Sequence, residues 1–342
     1  MKLSAAVAAF VSAIFFSIPV AAQETGTIVD APSEGELHGS NFTYPWPLKL
    51  YRFTSQRQDL EMAFMDVPPT SEPNGKVAIG LHGKNFCGPT WEATARKLLG
   101  VGYRVILPDQ VGFCKSSKPE SYQYTLQQFV YNTYSLLQAL KIEKVTVIGH
   151  SLGGMTTFRW GLSYPDTVDE LVVINPLGLE DWRALGVPYM SVDNLYVTEA
   201  ASNYTSIRAY EQETYYVGQW DTAYDVWVNM LVNIYQGSEA STFAFDQALV
   251  TDMVLSDPVV YEFGSLKPRI LLLIGKKDNT AIGKQWSPPD VQAKIGHYDV
   301  LGEQAAAAIP NADLIEFPDL GHAPHIQDPE TVHKALLGWL SK

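Results

Sequence analysis

The segment Val145–Gly154, Val-Thr-Val-Ile-Gly-His-Ser-Leu-Gly-Gly, restricts the fold of this chain more than any other part of the sequence. An apolar run typical of a buried strand leads directly into Gly149-His150-Ser151-Leu152-Gly153, and a helical pattern follows. A serine at so sharp a turn takes a strained backbone conformation with positive φ, and the glycines two residues away on either side leave room for it. The pattern therefore predicts a strand–turn–helix unit that holds the Ser151 hydroxyl above the edge of a sheet.

The stretches around this unit alternate between short apolar runs and helical patterns. Strands that are apolar throughout and alternate with helices are typical of a parallel sheet covered on both faces. The first two strand patterns are separated only by polar residues, which favours an antiparallel hairpin. The sequence thus predicts an α/β fold with an eight-stranded, mostly parallel sheet. The eight predicted strands are 48–53, 60–66, 77–82, 103–107, 144–148, 171–174, 269–274 and 314–317.

The alternation of strands and helices stops after Pro176 and resumes late in the chain. The intervening stretch, 177–262, contains fourteen aromatic residues, with polar residues between them mostly at helical spacing. We interpret it as a helical cap inserted into one α/β domain formed by 47–176 and 263–342. Its tyrosines and tryptophans either line a substrate pocket or only pack the cap. Residues 23–46, rich in Gly, Pro, Ser and acidic residues, are predicted to form an extended N-terminal arm or loop.

A serine needs a base within hydrogen-bond reach to act as a nucleophile at neutral pH. His322 follows the last predicted strand, and Asp278 follows the strand before it, so both are expected at the edge of the sheet that carries Ser151. The chain order Ser, Asp, His is that of a hydrolytic triad on such a sheet. We therefore predict that Ser151, Asp278 and His322 are the catalytic residues. Asn175 is the rival acid position, but an amide cannot stabilise imidazolium by charge. Three further histidines are interpreted as packing, surface or supporting groups: His150, His325 and His333.

The N-terminus has the composition of an export signal. Lys2 precedes a long uncharged run that ends in Val20-Ala21-Ala22, the small residues that signal peptidases require. This predicts a signal peptide over 1–22 and a secreted or periplasmic protein, with no stable membrane span after cleavage; an uncleaved anchor is the alternative. Asn41 and Asn203 begin N-glycosylation sequons, which matter only in a eukaryotic host.

The charge pattern and the absence of several motifs narrow the range of partners. The formal net charge is −13, and no stretch holds five or more basic residues, which argues against nucleic acid as a partner. The sequence has no His-Glu-x-x-His zinc helix, no Gly-x-Gly-x-x-Gly after a strand and no phosphate loop. His322 and His325 lack an evident third metal ligand. We expect no cofactor, no metal and a small-molecule substrate, and the sequence does not fix the oligomeric state.

From about residue 47 to residue 340 the chain resembles the α/β-hydrolase superfamily, near its single-domain esterases and carbon–carbon bond hydrolases. The matching motifs are His82-Gly83, Asp109…Gly112, Gly149-His150-Ser151-Leu152-Gly153-Gly154, Gly275…Asp278 and Gly321-His322…Pro324. The resemblance implies that the backbone amides of Lys84 and Leu152 form the oxyanion hole. A lysine at position 84 departs from the usual neutral residue. Its ammonium is expected either to point to solvent or to bind a substrate oxygen or carboxylate.

Cys87 and Cys114 are the only cysteines, and Cys114 replaces the second glycine of the family's Asp-x-x-Gly-x-Gly-x-Ser loop. In this fold the strands 77–82 and 103–107 are neighbours, and each cysteine lies a few residues beyond one of them, at the same end of the sheet. Loops leaving adjacent strands can bring two α-carbons within the span of a disulfide. In an exported protein the pair would tend to oxidise, so we predict a Cys87–Cys114 disulfide. Two unpaired cysteines packed in the loops are the alternative.

The activity expected from these motifs is hydrolysis of an ester through an acyl-enzyme on Ser151. The aromatic cap suits a moderately apolar or aromatic small molecule. A carbon–carbon bond hydrolase, a lactonase or an acyltransferase could use the same triad. A non-catalytic binding protein with a hydrolase fold is the alternative from another class, although an intact triad weighs against it. A serine nucleophile, in place of aspartate, argues against haloalkane dehalogenase and epoxide hydrolase chemistry.

Overall fold

A computed structural model of the chain describes residues 26–32 and 35–342. The predicted signal peptide, 1–22, lies outside the described residues. Within these described residues, nine strands form one sheet, one more than the sequence predicts. The strands are β1 Thr27–Asp30, β2 Leu48–Ser55, β3 Gln58–Val67, β4 Val77–Leu81, β5 Arg104–Pro108, β6 Val145–His150, β7 Val168–Ile174, β8 Ile270–Gly275 and β9 Ala312–Phe317.

The spatial order of the strands is β1-β2-β3-β5-β4-β6-β7-β8-β9. The pairs β1/β2, β2/β3 and β3/β5 are antiparallel, and every later neighbouring pair is parallel. The predicted hairpin is therefore present as β2 and β3, and the mostly parallel α/β sheet is confirmed. The additional strand, β1, belongs to the segment predicted as an extended arm or loop. It is only four residues long, and its pairing with β2 at the sheet edge depends on a distant segment that no local pattern specifies.

Helices cover both faces of the sheet and fill the region between β7 and β8. The helices are α1 Glu92–Leu99, α2 Leu126–Ala139, α3 Leu152–Ser163, α4 Val192–Ala200, α5 Tyr204–Thr214, α6 Asp225–Tyr235, α7 Ala240–Ser256, α8 Pro289–Gln292, α9 Tyr298–Ala308, α10 Pro324–Gln327 and α11 Pro329–Leu340. None of the described helices is both long and apolar enough to span a membrane.

Alternate residues of the central strands contribute to two apolar layers, as the pleat of a β-sheet requires. On one face Leu171 and Val173 join a large core that includes α2, α3 and α9. On the other face Val172 and Ile174 pack with side chains of α1 and α11. Burial on both faces explains why β6 and β8 are buried along their whole length and why their sequences show no polar alternation.

The segment predicted as the cap contains four helices, α4 to α7, between β7 and β8. Two of its termini are capped by side chains: Ser191 Oγ accepts from the amide of Asn194, and Asn203 forms a reciprocal capping box with Ser206. The C-terminal end of α5 reaches the loop that carries His322, where the His322 amide donates to the Thr214 carbonyl oxygen at 3.4 Å. The helical insertion is thus in contact with the edge of the sheet where the predicted triad lies.

Candidate active site

Ser151 occupies the sharp turn between β6 and α3, with φ +56° and ψ −119°. Glycines allow this turn because the chain is crowded on both sides. A β-carbon on Gly149 would lie 2.1 Å from the Gly153 carbonyl oxygen, and one on Gly153 would lie 2.0 Å from that of Leu81. Any side chain at either position would displace the backbone, so the two glycines and the positive φ of Ser151 form one geometric unit.

The three predicted catalytic residues lie together at the carboxyl edge of the sheet. His322 Nε2 is 2.8 Å from Ser151 Oγ, and His322 Nδ1 is 2.6 Å from Asp278 Oδ2. All three are at most 3% exposed. Because ionised Asp278 only accepts hydrogen bonds, Nδ1 carries the proton, which leaves Nε2 free to accept the Ser151 hydroxyl proton. The arrangement joins an alcohol, a base and an orienting carboxylate in one hydrogen-bonded chain.

Asn175, the rival acid position, supports the aspartate from the end of β7. Its Nδ2 donates to Asp278 Oδ2 at 2.9 Å, and its Oδ1 accepts from the Gly275 amide at 2.8 Å. Asp278 Oδ1 also accepts from the Thr280 amide at 2.8 Å. With the bond to His322, the carboxylate accepts three hydrogen bonds, which fix its orientation. Sequence reasoning considered Asn175 only as the acid and missed this positioning role.

The two residues whose amides are predicted to form the oxyanion hole lie close to Ser151. Leu152 is the first residue of α3, so its N–H has no acceptor within the helix. Lys84 follows Gly83 in the loop after β4, where a β-carbon on Gly83 would lie 3.0 Å from the Ser151 β-carbon. His82 anchors this loop, because its Nε2 accepts from the Gln110 amide at 3.0 Å. Burial lowers the pKa of His82, which keeps that nitrogen unprotonated and able to accept.

The Cys87–Cys114 disulfide is present, with the two α-carbons 5.9 Å apart. The two cysteines lie in the loops that follow β4 and β5, which are paired strands, as the prediction assumed. Both residues are buried. The Cys114 carbonyl oxygen accepts hydrogen bonds from Ser40 Oγ and Lys118 Nζ, each at 2.6 Å. The covalent link therefore fastens the loop of Lys84 to a second loop that is itself held by the N-terminal segment.

Three further histidines extend from His322 into the core. His150 Nε2 donates to the His322 carbonyl oxygen at 2.8 Å, and its ring lies 4.7 Å from that of His325. His333 Nε2 contacts Thr94 Oγ1 at 2.9 Å. Burial lowers the pKa of His150 well below its usual value and, with neighbouring histidines, lowers that of His325 to about 3. These histidines are therefore neutral packing groups, and His325 and His333 are more deeply buried than the predicted surface role would allow.

A cavity of about 610 Å³ opens above Ser151 and His322. Its walls are mostly apolar and come from the core loops and from all four cap helices. The cap contributes tyrosines, as predicted, but the tryptophan in the wall is Trp286, which lies outside the cap. The side chains that line it include Lys84, Leu195, Glu199, Ile207, Leu231 and Tyr235.

Lys84 forms a contact that neither predicted alternative describes. Its Nζ donates to Glu199 Oε1 of α4 at 2.6 Å. The ammonium therefore neither points to open solvent nor is left without a charged partner in the protein. Glu199 Oε2 accepts from Tyr235 Oη of α6, also at 2.6 Å. No local motif marks Glu199 or Tyr235, because each meets Lys84 only through the tertiary fold.

One group of potential metal ligands, His82, Asp109 and Cys114, lies within the described residues. The Cys114 sulfur is already bonded to Cys87, and both His82 ring nitrogens have hydrogen-bonding partners. Asp109 accepts from Tyr44 and from the amides of Gly88 and Lys115. The group therefore does not fit a metal site.

The predicted glycosylation positions Asn41 and Asn203 are both exposed, and their modification stays a prediction.

Comparisons with known proteins agree with this fold. The sequence model of the family described as the α/β hydrolase fold matches residues 79–329. The crystal structure of a probable hydrolytic enzyme from Pseudomonas aeruginosa PAO1 is 51% identical, with a TM-score of 0.86, over 87% of this chain and 95% of that one.

Two curated relatives are more distant. A cis-3-alkyl-4-alkyloxetan-2-one decarboxylase from Xanthomonas campestris pv. campestris is 36% identical over 39% of this chain and 46% of its own length. The chain thus covers less than half of that relative. A 2-hydroxy-6-oxononadienedioate/2-hydroxy-6-oxononatrienedioate hydrolase from Comamonas testosteroni is 23% identical over 78% of this chain and 88% of its own length.

Proposed function

Because the chain belongs to the α/β-hydrolase-fold family, we propose that it is a serine hydrolase that cleaves esters through an acyl-enzyme on Ser151. One observation carries the proposal. The Ser151 hydroxyl, the His322 imidazole and the Asp278 carboxylate form an unbroken hydrogen-bonded chain at the floor of a mostly apolar cavity. This is the arrangement that turns a weakly nucleophilic alcohol into an acyl acceptor.

The acylation step follows from the positions of these groups. His322 Nε2 accepts the hydroxyl proton as Ser151 Oγ attacks the ester carbonyl, and Asp278 stabilises the imidazolium that forms. The carbonyl oxygen gains negative charge beside the amides of Lys84 and Leu152, which act as the oxyanion hole. When the tetrahedral intermediate collapses, the C–O bond to the alcohol breaks and His322 protonates the departing oxygen.

Water then releases the acid. His322 removes a proton from a water molecule, whose oxygen attacks the acyl-enzyme carbonyl. The Ser151 Oγ–carbonyl bond breaks, and the proton returns from His322 to Ser151. An alcohol in place of water would make the same cycle an acyl transfer.

The cavity favours a moderately apolar ester of small size. A volume of about 610 Å³ lies within the range of small-molecule sites. Side chains such as Leu195, Ile207 and Leu231 offer apolar surface, and the tyrosines combine flat apolar faces with polar tips. Aliphatic or aromatic acyl groups of moderate length suit these walls.

Carbon–carbon bond hydrolysis is the second candidate. It is supported by the Comamonas testosteroni hydrolase, which matches most of this chain at 23% identity. The same triad and oxyanion hole would serve, because both reactions pass through attack on a carbonyl carbon. Lactone hydrolysis differs from ester hydrolysis only in that the leaving alcohol stays attached to the acid.

Labelling followed by a substrate panel tests the proposal. A fluorophosphonate probe should modify the wild-type protein and leave Ser151→Ala unlabelled. Protein that has not been treated with the probe is then assayed with p-nitrophenyl esters, lactones and vinylogous diketones. We expect the esters to give the largest kcat/KM. Faster cleavage of diketones would favour the second candidate, and absence of both labelling and turnover would favour a binding protein.

We also propose that the protein works outside the cytoplasm. The run over 1–22 has the pattern of a signal peptide, and the Cys87–Cys114 disulfide suits an oxidising compartment. The test is expression of the full chain in a host with a general export pathway. A mature protein that starts at Gln23 in the periplasm or medium is the expected outcome, and a full-length protein retained in the membrane would favour the anchor.

A further inference from the structure

The cavity above Ser151 contains a polar cluster that the triad does not use. It consists of Lys84 from the oxyanion loop, Glu199 from α4 and Tyr235 from α6. Two of the three side chains belong to the cap and one to the core, so the cluster joins the two regions across the cavity. In a site with mostly apolar walls, a few polar groups fix which substrate binds and in which orientation.

The acceptors of this cluster all have hydrogen-bond donors, but one of its donor groups has donors to spare. Both Glu199 carboxylate oxygens have a donor, Lys84 on one and Tyr235 on the other. Burial and the adjacent Glu199 charge raise the pKa of Tyr235 well above its usual value, so its hydroxyl stays a donor. Lys84 has three N–H donors, and within the described part of the chain Glu199 is the one partner of its ammonium. Donors of Lys84 are therefore left for an acceptor in the cavity.

Lys84 is also close to the reacting atoms. It directly follows Gly83, on which a β-carbon would lie only 3.0 Å from the Ser151 β-carbon. The backbone of Lys84 is therefore close to Ser151, and the two residues line the same cavity. A second oxygen in the acyl part of a substrate, a few bonds from the reacting carbonyl, would lie in this cavity as well.

The charge of the cluster selects which kind of oxygen binds. Lys84 and Glu199 form an ion pair with side chains 16% and 17% exposed, so the pair presents no net charge to the cavity. A substrate carboxylate that approached Lys84 would meet the Glu199 carboxylate as well, and like charges at short range in a poorly solvated site repel strongly. An uncharged carbonyl or hydroxyl oxygen accepts from Lys84 without that cost.

We propose that Lys84 is a specificity-determining residue that donates a hydrogen bond to a second, uncharged oxygen in the acyl group of the ester, while Glu199 excludes anionic acyl groups. The inference rests on the proposed ester hydrolysis and names the substrate class: esters of oxo or hydroxy acids. Its signature is a preference between matched substrates, not the overall rate.

The first test compares p-nitrophenyl esters that differ by one oxygen. The pairs are pentanoate with 4-oxopentanoate and hexanoate with 5-oxohexanoate, which place the second oxygen at two distances. We expect at least one oxo ester to be preferred about tenfold in kcat/KM by the wild type, the scale of one hydrogen bond to a charged group. In Lys84→Met the preference should fall to about one. The ratio cancels any change in the oxyanion hole, because both members of a pair use it equally.

The second test removes the Glu199 charge and measures whether an anionic acyl group is then accepted. Glu199→Gln keeps the size of the side chain and leaves the Lys84 charge uncompensated. Relative to pentanoate, turnover of the glutarate monoester should rise about tenfold in this variant. The rise should disappear in the Lys84→Met/Glu199→Gln double variant. Tyr235→Phe, which removes a hydrogen bond but no charge, is the matched control and should leave the ratio within about twofold.

Binding measurements separate this inference from the proposed reaction. In the Ser151→Ala background, methyl 4-oxopentanoate and methyl 5-oxohexanoate are compared with methyl pentanoate and methyl hexanoate by calorimetry, with and without Lys84→Met. A preference for an oxo ester that depends on Lys84, without turnover by the intact protein, would refute the hydrolase and keep the recognition role. Equal ratios with lysine and methionine, in both binding and turnover, would overturn the inference and leave Lys84–Glu199 as a tie between core and cap.

Discussion

The sheet edge of the core and the interior of the cap surround their buried carboxyl groups in opposite ways. In the core, Asp278 accepts three hydrogen bonds, so its buried charge is fully compensated. In the cap, Glu211 of α5 is completely buried, and neither of its carboxyl oxygens has a hydrogen-bond partner among the described residues. Burial raises the pKa of Glu211 to about 8, and burial likewise raises that of Asp246 on α7 to about 8.

This difference separates the sheet edge around Asp278, which stabilises a buried charge, from the interior of the cap around Glu211 and Asp246, which excludes one. The core places donors around one carboxylate because the ends of three adjacent strands meet there. The cap packs apolar and aromatic side chains around acids that stay protonated at neutral pH. We therefore expect changes at the sheet edge to affect catalysis, and changes inside the cap to affect stability and its pH dependence.

The largest effect is expected in the triad. Ser151→Ala and His322→Ala should each lower kcat/KM for a good ester by roughly 10⁴-fold or more, and Asp278→Asn by a similar or smaller factor. The measurement is steady-state hydrolysis, with folding checked by circular dichroism. Ser241→Ala, an exposed serine on the cap helix α7, is the control and should stay within about twofold. Near-normal turnover by His322→Ala would mean that another base serves Ser151.

The disulfide should affect stability more than any single cap residue. It closes a loop with a sequence separation of 27, for which the chain-entropy estimate is about 3.5 kcal/mol. Cys87→Ser/Cys114→Ser should lose roughly that amount in urea unfolding, and the reduced wild type should lose a similar amount. Thiol titration of the denatured, unreduced protein should give no free thiol. Two reactive thiols per chain would show that the bond does not form.

Asn175 tests whether the sheet edge needs its supporting hydrogen bonds. Asn175→Ala leaves Asp278 without one donor, so kcat should fall about 10- to 100-fold while KM changes by less than about twofold. The rate of fluorophosphonate labelling should fall in parallel, since it reports the reactivity of Ser151. Asn311→Ala, an exposed asparagine after α9, is the control. Loss of stability with a normal labelling rate would assign Asn175 a structural role only.

The same contrast explains what the sequence could reveal. The fold and the grouping of Ser151, Asp278 and His322 could be predicted because their signals are local in the sequence. These signals are the glycines on either side of Ser151, the ends of the apolar strands and the order of the three residues along the chain. Glu199 meets Lys84 across 115 positions of sequence, and Tyr235 lies on yet another helix. Such contacts depend on how the cap packs against the core, and the local hydrophobic pattern of the sequence does not predict that packing. The edge strand β1 was missed for the same reason, because its partner is distant and its sequence is short.

Glu211 tests the cap directly. Between pH 4.5, the ordinary value for a glutamate, and about 8, the folded protein keeps a proton on Glu211 that the unfolded chain releases. Stability should therefore fall as pH rises through this window. We expect wild-type unfolding free energy to drop by about 1–3 kcal/mol more than that of Glu211→Gln between pH 5 and pH 9. Glu213→Gln, exposed on the same helix, should behave as the wild type. Equal pH dependence in all three proteins would contradict a protonated, buried Glu211.

His333 gives the mirror-image test in the core, with the smallest expected effect. Burial and the nearby Lys97 charge lower the pKa of His333 to about 4, against an ordinary value of 6.5. Between these two pH values the unfolded chain binds a proton on this ring and the folded protein does not. The stability contributed by the neutral ring is therefore complete above pH 6.5 and is lost as the pH falls towards 4. His333→Gln can still bond to Thr94 but cannot take up that proton. Between pH 7 and pH 4.5 the variant should lose about 1–2 kcal/mol less than the wild type, with exposed His297→Gln as the control. His333→Gln could lose as much unfolding free energy at low pH as the wild type, while Glu211→Gln no longer loses it at high pH. In that case the acid sensitivity comes from other buried groups, and His150 and His325, beside the loop of His322, are the next residues to substitute.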